Sequence, residues 1–171
     1  MKQITIGFSK ACTTLPVFSW LIMWALKTPY SHVYVKYQDD FTGRIVYYQA
    51  SHTVVNYMGE ATFLGQETVI QEFVFNVSDI NFLAIQQFAI DQAGKPYGVM
   101  EIFGLAWVLL CAKFGIKVNN PFSYAGSSWI CDQLVAGILS SCDGVKLPEN
   151  INNMDPLDVY NLVSSLPKNL S

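Results

Sequence analysis

The stretch Ser127-Ser128-Trp129-Ile130-Cys131-Asp132-Gln133-Leu134-Val135 decides how this chain is read. Apolar residues at 130, 134, 135, 138 and 139 recur at helical spacing, so a helix with one core-facing side runs from Cys131 to about Ser141. The two serines supply an N-terminal cap, which places Cys131 in the first turn. There the free N–H groups and the positive end of the helix dipole favour a thiolate. Far earlier in the chain, Tyr30-Ser31-His32-Val33-Tyr34-Val35 alternates as a strand that opens on a histidine. A thiol needs a base to become a nucleophile, so a helix-opening cysteine and a strand-opening histidine form two parts of one site. Cys131 and His32 are the candidate pair.

The remaining cysteines compete poorly. Cys111 lies among apolar residues as a packed cysteine would, Cys142 sits at the wrong pole of a helix, and Cys12 falls in a loop. His52, also in a Ser-His pair, is the rival base. The choice depends on the hairpin that follows His32. A four-residue loop at 40–43 pairs Asp39 with Arg44 and hence Tyr34 with Gln49, which puts Gln49 diagonally beside His32, able to orient the ring. A three-residue loop with Gly43 left-handed would set His32 opposite His52 and turn Gln49 away. Both registers fit the sequence.

The other elements follow in order. Ile4, Ile6 and Phe8 alternate as a first strand, and 18–26 has helical length and composition. Strand-like runs occupy 53–58 and 68–77. Ser78 or Asp79 caps a helix over 80–93 that ends at Gly94. An apolar helix spans 99–114, read as buried, with Glu101 complementing its dipole. A polar loop covers 119–128, and Asp155-Pro156-Leu157-Asp158 opens a last short helix. No linker or repeat interrupts this order, so the 171 residues are read as a single α+β domain, a small antiparallel, barrel-like sheet packed with helices.

Composition narrows the function. The chain is 51% apolar and 13% charged, greasier than an ordinary soluble domain, and implies a large core or an apolar surface for a partner, lipid or substrate. A net charge of −3, a single arginine (Arg44) and no basic run argue against nucleic acid. Four cysteines without CxxC spacing and two histidines offer no ready metal site, and no cofactor is implied. The first residues read as a strand and not a secretory signal, and the 100–116 segment falls short of a membrane span. A cytoplasmic location is the default expectation; membrane contact is not the favoured reading, and oligomeric state is not legible.

Taken together, Ser31-His32-Val33-Tyr34-Val35, Tyr47-Tyr48-Gln49-Ala50-Ser51, Gly94-Lys95-Pro96-Tyr97-Gly98 and Trp129-Ile130-Cys131-Asp132-Gln133-Leu134-Val135 resemble the circularly permuted papain-fold, NlpC-like family of the YiiX and YaeF type. The similarity runs from about Ile4 to the Asp155-Pro156-Leu157-Asp158 segment. It implies Cys131 as nucleophile, His32 as base, Gln49 as the polar residue that orients the imidazole, and Tyr97 as a residue lining the substrate site. It further implies a cysteine peptidase or amidase acting on a peptide or peptidoglycan-type amide through a thioester. Lipid acyl esters, processed by relatives of this fold, and a non-catalytic binding module are the alternatives. The sequence departs from the family in having Asp132-Gln133 where Ser-Glu is usual, and in a neutral Gln49 where an acid is common.

Overall fold

Ile4, Ile6 and Phe8 are fully buried, as are Val33 and Val35, and this alternation builds the face of a sheet on which the core rests. The computed structural model describes residues 1–12, 17–51, 53–122, 128–148, 151 and 154–170, without the side chains of Val17, Phe18, Val99, Leu105 and Leu109. Its elements are β1 (Lys2–Ala11), α1 (Val17–Leu26), β2 (His32–Gln38), β3 (Ile45–Ser51), β4 (Val54–Gly59), α2 (Glu60–Gln66), β5 (Glu67–Val77), α3 (Asp79–Gln92), α4 (Val99–Lys113), α5 (Cys131–Ser140), α6 (Pro156–Ser165) and β6 (Asn169–Leu170). The class is α+β. The sheet has six strands in the order β4-β3-β2-β1-β5-β6, antiparallel except for the parallel β5–β6 pair. It is therefore mixed, with β4 and β6 as edges, and does not form the antiparallel barrel expected from the strand pattern.

α5 is the central helix. Leu134, Val135, Ala136, Ile138 and Leu139 are each at most 1% exposed and join the core formed by β1, β2, β3, α3 and α6. Full burial of each larger aliphatic side chain contributes on the order of 1.5–3 kcal/mol. Expected and observed helices agree closely at α3, where Ser78 Oγ accepts from Asn81 N–H, and at α6, which has a full Asp155–Asp158 capping box.

The opposite face of the sheet carries a smaller cluster. Phe63 of α2 stacks on Tyr47 at 4.0 Å between centroids and meets Tyr34 edge-on at 4.6 Å. Tyr34 lies across Gly7 and donates to Glu72 Oε1 at 2.7 Å. A Cβ on residue 7 would sit 2.1 Å from the Tyr34 ring. Gly7→Ala should therefore expel a fully buried tyrosine and destabilise the fold by about 1–3 kcal/mol. Denaturant unfolding measures this directly; an unchanged midpoint would show that the ring moves without cost.

α4 departs from the buried helix read in the sequence. Met100, Phe103, Trp107, Leu110 and Phe114 all remain exposed along one stripe. Its apolar composition is not met by a matching core, because none of its described residues joins either buried cluster.

Candidate active site

The hairpin β2–β3 adopts the four-residue loop. Asp39 N–H donates to Arg44 O at 2.9 Å, Gly43 N–H donates to Asp39 O at 2.8 Å, and Val35 pairs with Tyr48. Gly43 is left-handed even so, with φ +69°, so a left-handed glycine does not itself imply the shorter loop. The register sets Gln49 diagonally beside His32, and His32 Nε2 lies 2.7 Å from Gln49 Oε1. Both residues are buried. Since an amide oxygen only accepts, the neutral ring carries its proton on Nε2, which makes Nδ1 the basic nitrogen. The Gln49 amide nitrogen points the other way, 3.9 Å from Met58 Sδ, in keeping with that assignment. His52, the rival base, lies outside the described residues.

Cys131 is the first residue of α5, as expected, but its cap is different. Ile130 occupies the cap position without a side-chain hydrogen bond, while Ser128 Oγ donates to Glu101 Oε1 instead. Glu101 lies in the first turn of α4, where an acid complements the dipole, but it also has a buried tethering contact. It is 2% exposed and ties the segment before Cys131 to α4, with Asn120 Nδ2 donating to its backbone carbonyl at 2.9 Å.

The electrostatics of the thiol also differ from the helix-terminus argument. Burial pushes the Cys131 thiol well above its ordinary range, and the neighbouring Asp132 charge pushes the same way. The backbone of Val33, the residue after His32, hydrogen-bonds the thiolate form and works against that rise. Desolvation outweighs the backbone hydrogen bonds from Val33 and Asp132, so the neutral thiol is the favoured form. The sulfur nonetheless lies against the opening of β2, next to the residue carrying the imidazole.

Tyr97 reaches the site through a short ribbon. Val55 N–H donates to Lys95 O and Gly94 N–H to Val55 O, each at 2.9 Å, and Tyr97 N–H donates to Thr53 O at 2.9 Å. On its other side Trp129 N–H donates to Pro96 O at 3.1 Å and Gly98 N–H to Trp129 O at 3.0 Å. The five residues 94–98 are therefore laced between β4 and the approach to α5. The phenol of Tyr97 is driven well above its usual range by burial and by the nearby Cys131 and Asp132, which keeps it a hydrogen-bond donor.

Two further acidic groups belong to the surroundings, Asp132 beside the thiol and Glu67 toward Tyr97. Asp132 is 1% exposed, its Oδ1 lies 3.6 Å from the Cys131 sulfur, and its Oδ2 has no hydrogen-bond partner. Burial lifts its carboxyl to about 8. Glu67, held by Ser9 Oγ at 2.9 Å, is close enough for its charge to be felt at Tyr97. Ser9 pairs with His32 across the β1–β2 ladder. Nothing in the local sequence marks Glu67, because a strand-opening acid is ordinarily solvated.

Comparison with protein-family models, with curated proteins and with solved structures returns no match to this chain. The site stands on its geometry.

No group of three or more His, Cys, Asp or Glu side chains suited to a metal ion occurs among the described residues. Nor is any helix there long and apolar enough to cross a membrane. What the arrangement offers is acyl chemistry: a buried thiol, an imidazole with an assigned tautomer, and a phenol that stays protonated.

Proposed function

We propose that the protein is a cysteine hydrolase in which Cys131 is the nucleophile, His32 the base, Gln49 the orienting residue and Tyr97 a substrate-site donor. The observation that carries the reading is the 2.7 Å His32–Gln49 contact, with the Cys131 sulfur lying against the adjacent Val33 backbone. The chain order His32, Gln49, Tyr97, Cys131, and α5 packed across the sheet, suit a circularly permuted papain-like (NlpC-like) shell.

Because the resting thiol is neutral, its proton leaves as the sulfur attacks. Nδ1 of His32 takes that proton while Sγ bonds to the carbonyl carbon, and the carbonyl oxygen becomes an oxyanion. In this reading the Cys131 backbone N–H and the Tyr97 hydroxyl stabilise it. Collapse of the tetrahedral species breaks the C–N bond, and the imidazolium returns its proton to the leaving amine. Water then attacks the thioester with His32 again accepting a proton, releasing the acid and restoring the thiol. A peptide-type amide, including a peptidoglycan stem peptide, is the substrate class we favour.

The exposed apolar stripe of α4 favours a second reading, an acyl ester of a lipid, since α4 starts two residues after Tyr97. Parallel assays on peptidoglycan stem peptides and on phospholipid esters separate the two, with intact-mass detection of an acyl adduct on Cys131. We expect peptide turnover with a Cys131 adduct that Cys131→Ala lacks. Lipid turnover alone would reverse the substrate assignment. No turnover, with no acyl adduct on Cys131, would leave a papain-like shell used for binding.

A further inference from the structure

The most unusual surface of the molecule lies away from the sheet, where α1 and α4 pack on each other. Between them runs a groove of about 230 Å³ lined by Leu21, Trp24, Phe103, Trp107, Leu110 and others. Three of the chain's four tryptophans, Trp20, Trp24 and Trp107, stand exposed on these two helices, the last two at 52% each. Phe114 just beyond α4 is 75% exposed. None of the described residues of α1 or α4 joins the main core. Such a contiguous apolar surface marks an interaction site.

The charges say what occupies it. Across 17–28 and 99–118 the sequence carries Lys27, Lys113 and Lys117 and a single acid, Glu101, which is buried against Ser128. All three lysines are exposed at or just past the C-terminal ends of the two helices, and Lys113 Nζ lies 3.2 Å from the centre of the Trp24 ring. In a protein of net charge −3, this face is cationic and aromatic. A second copy of the chain docked through the same two helices would offer these cations no exposed acid as a partner. An anionic lipid surface meets both features: tryptophans settle at the headgroup level, apolar side chains enter the acyl boundary, and lysines attract the headgroups. With 15 residues, α4 is about 22 Å long, too short to span about 30 Å of hydrocarbon, so the helices lie in the interface.

We propose that the α1–α4 face docks the protein on anionic lipid bilayers. The inference is independent of the thiol chemistry, although Gly98, which caps the start of α4, is bonded to Trp129 two residues before Cys131, so docking holds the site near the bilayer. The test is flotation of the full chain with phosphatidylcholine vesicles with and without phosphatidylglycerol, together with tryptophan quenching by brominated acyl chains. We expect flotation with the anionic vesicles, weakened by salt, and quenched, blue-shifted emission. Trp24→Ala with Trp107→Ala should lower apparent lipid affinity by about tenfold or more. Lys27→Glu, Lys113→Glu and Lys117→Glu together should remove the preference for anionic lipid, whereas Cys131→Ala should float as the unmodified chain does. Absence of both flotation and quenching in the unmodified chain would overturn the proposal without reference to any variant's folding. So would binding that neither set of substitutions alters, or a lipid-independent dimer in sedimentation that the tryptophan substitutions dissociate.

Discussion

His32→Ala should lower kcat/KM for amide turnover by about 10²–10⁴-fold, the usual contribution of a positioned general base. The neutral resting thiol makes this loss larger than in a site with a preformed ion pair, because little thiolate exists for substrate to meet. Gln49 provides the sharper test, since it acts through the ring and not on the substrate. Gln49→Ala leaves the imidazole free to rotate and to choose the other tautomer, so kcat should fall with little change in KM. Gln49→Glu keeps the contact but replaces a neutral acceptor by a carboxylate, which favours imidazolium and raises the His32 pKa. The base must be unprotonated to act, so the acidic limb of the rate–pH profile should move to higher pH. A merely structural glutamine would leave that limb in place. Retained activity in His32→Ala would exclude His32 as the base.

Asp132→Asn should stabilise the protein, and increasingly so as pH rises. The native carboxyl holds its proton to about 8, while in the unfolded chain it ionises near the ordinary 3.8. Below about 4 both states are protonated, and the group has no effect on stability. Between there and about 8 the native state binds a proton that the unfolded state has lost, so stability falls with pH at up to about 1.4 kcal/mol per unit. Asparagine has the same shape and no charge to desolvate, so the advantage of the variant should be small at pH 4.5 and largest at pH 8.5. Asp155, raised by burial to about 6, adds a loss of the same sign over a narrower window and persists in the variant. Removing the Asp132 charge also removes one of the causes that hold the thiol up, so alkylation of Cys131 at pH 8.5 should quicken. Denaturant midpoints at the two pH values measure the first effect. Parallel pH profiles for the two proteins would place the carboxylate in water.

Several of these features were legible in the chain and others were not, for physical reasons. Strict alternation at Ile4-Ile6-Phe8 and Val33-Val35-Tyr37 and the cap at Ser78 leave little freedom, and those elements appear where expected. The β2–β3 register was open because loop length and glycine conformation are separate variables; the carbonyl of Asp39, accepting from Gly43, fixes what the sequence leaves as two choices. α2 is seven residues long and carries Gly65, too short for a helical period to be visible; it persists because Phe63 wedges between Tyr34 and Tyr47. β6 is two residues held by Asn76 and Val77, without any local signal. α4 exposes a different ambiguity: apolar composition reports a wish to leave water, not the direction in which to leave it. For the proposed site, the sequence singles out residues 32, 49, 97 and 131, and the structure sets His32 against Gln49. The burial that makes the thiol neutral and strands the Asp132 carboxyl arises from residues distant in the chain.

The ribbon at 94–98 has a second consequence. β4 is an outer strand of the sheet, and its outward amide and carbonyl at Val55 are taken by Gly94 and Lys95 of the same molecule. An uncovered strand margin is a template on which another chain can add itself, the route to fibrils and to insoluble protein. The five residues that bring Tyr97 toward Cys131 therefore also close the Val55 end of β4 to a neighbouring copy. Any substitution that loosens this ribbon works against solubility, which ties the proposed site to the colloidal behaviour of the protein.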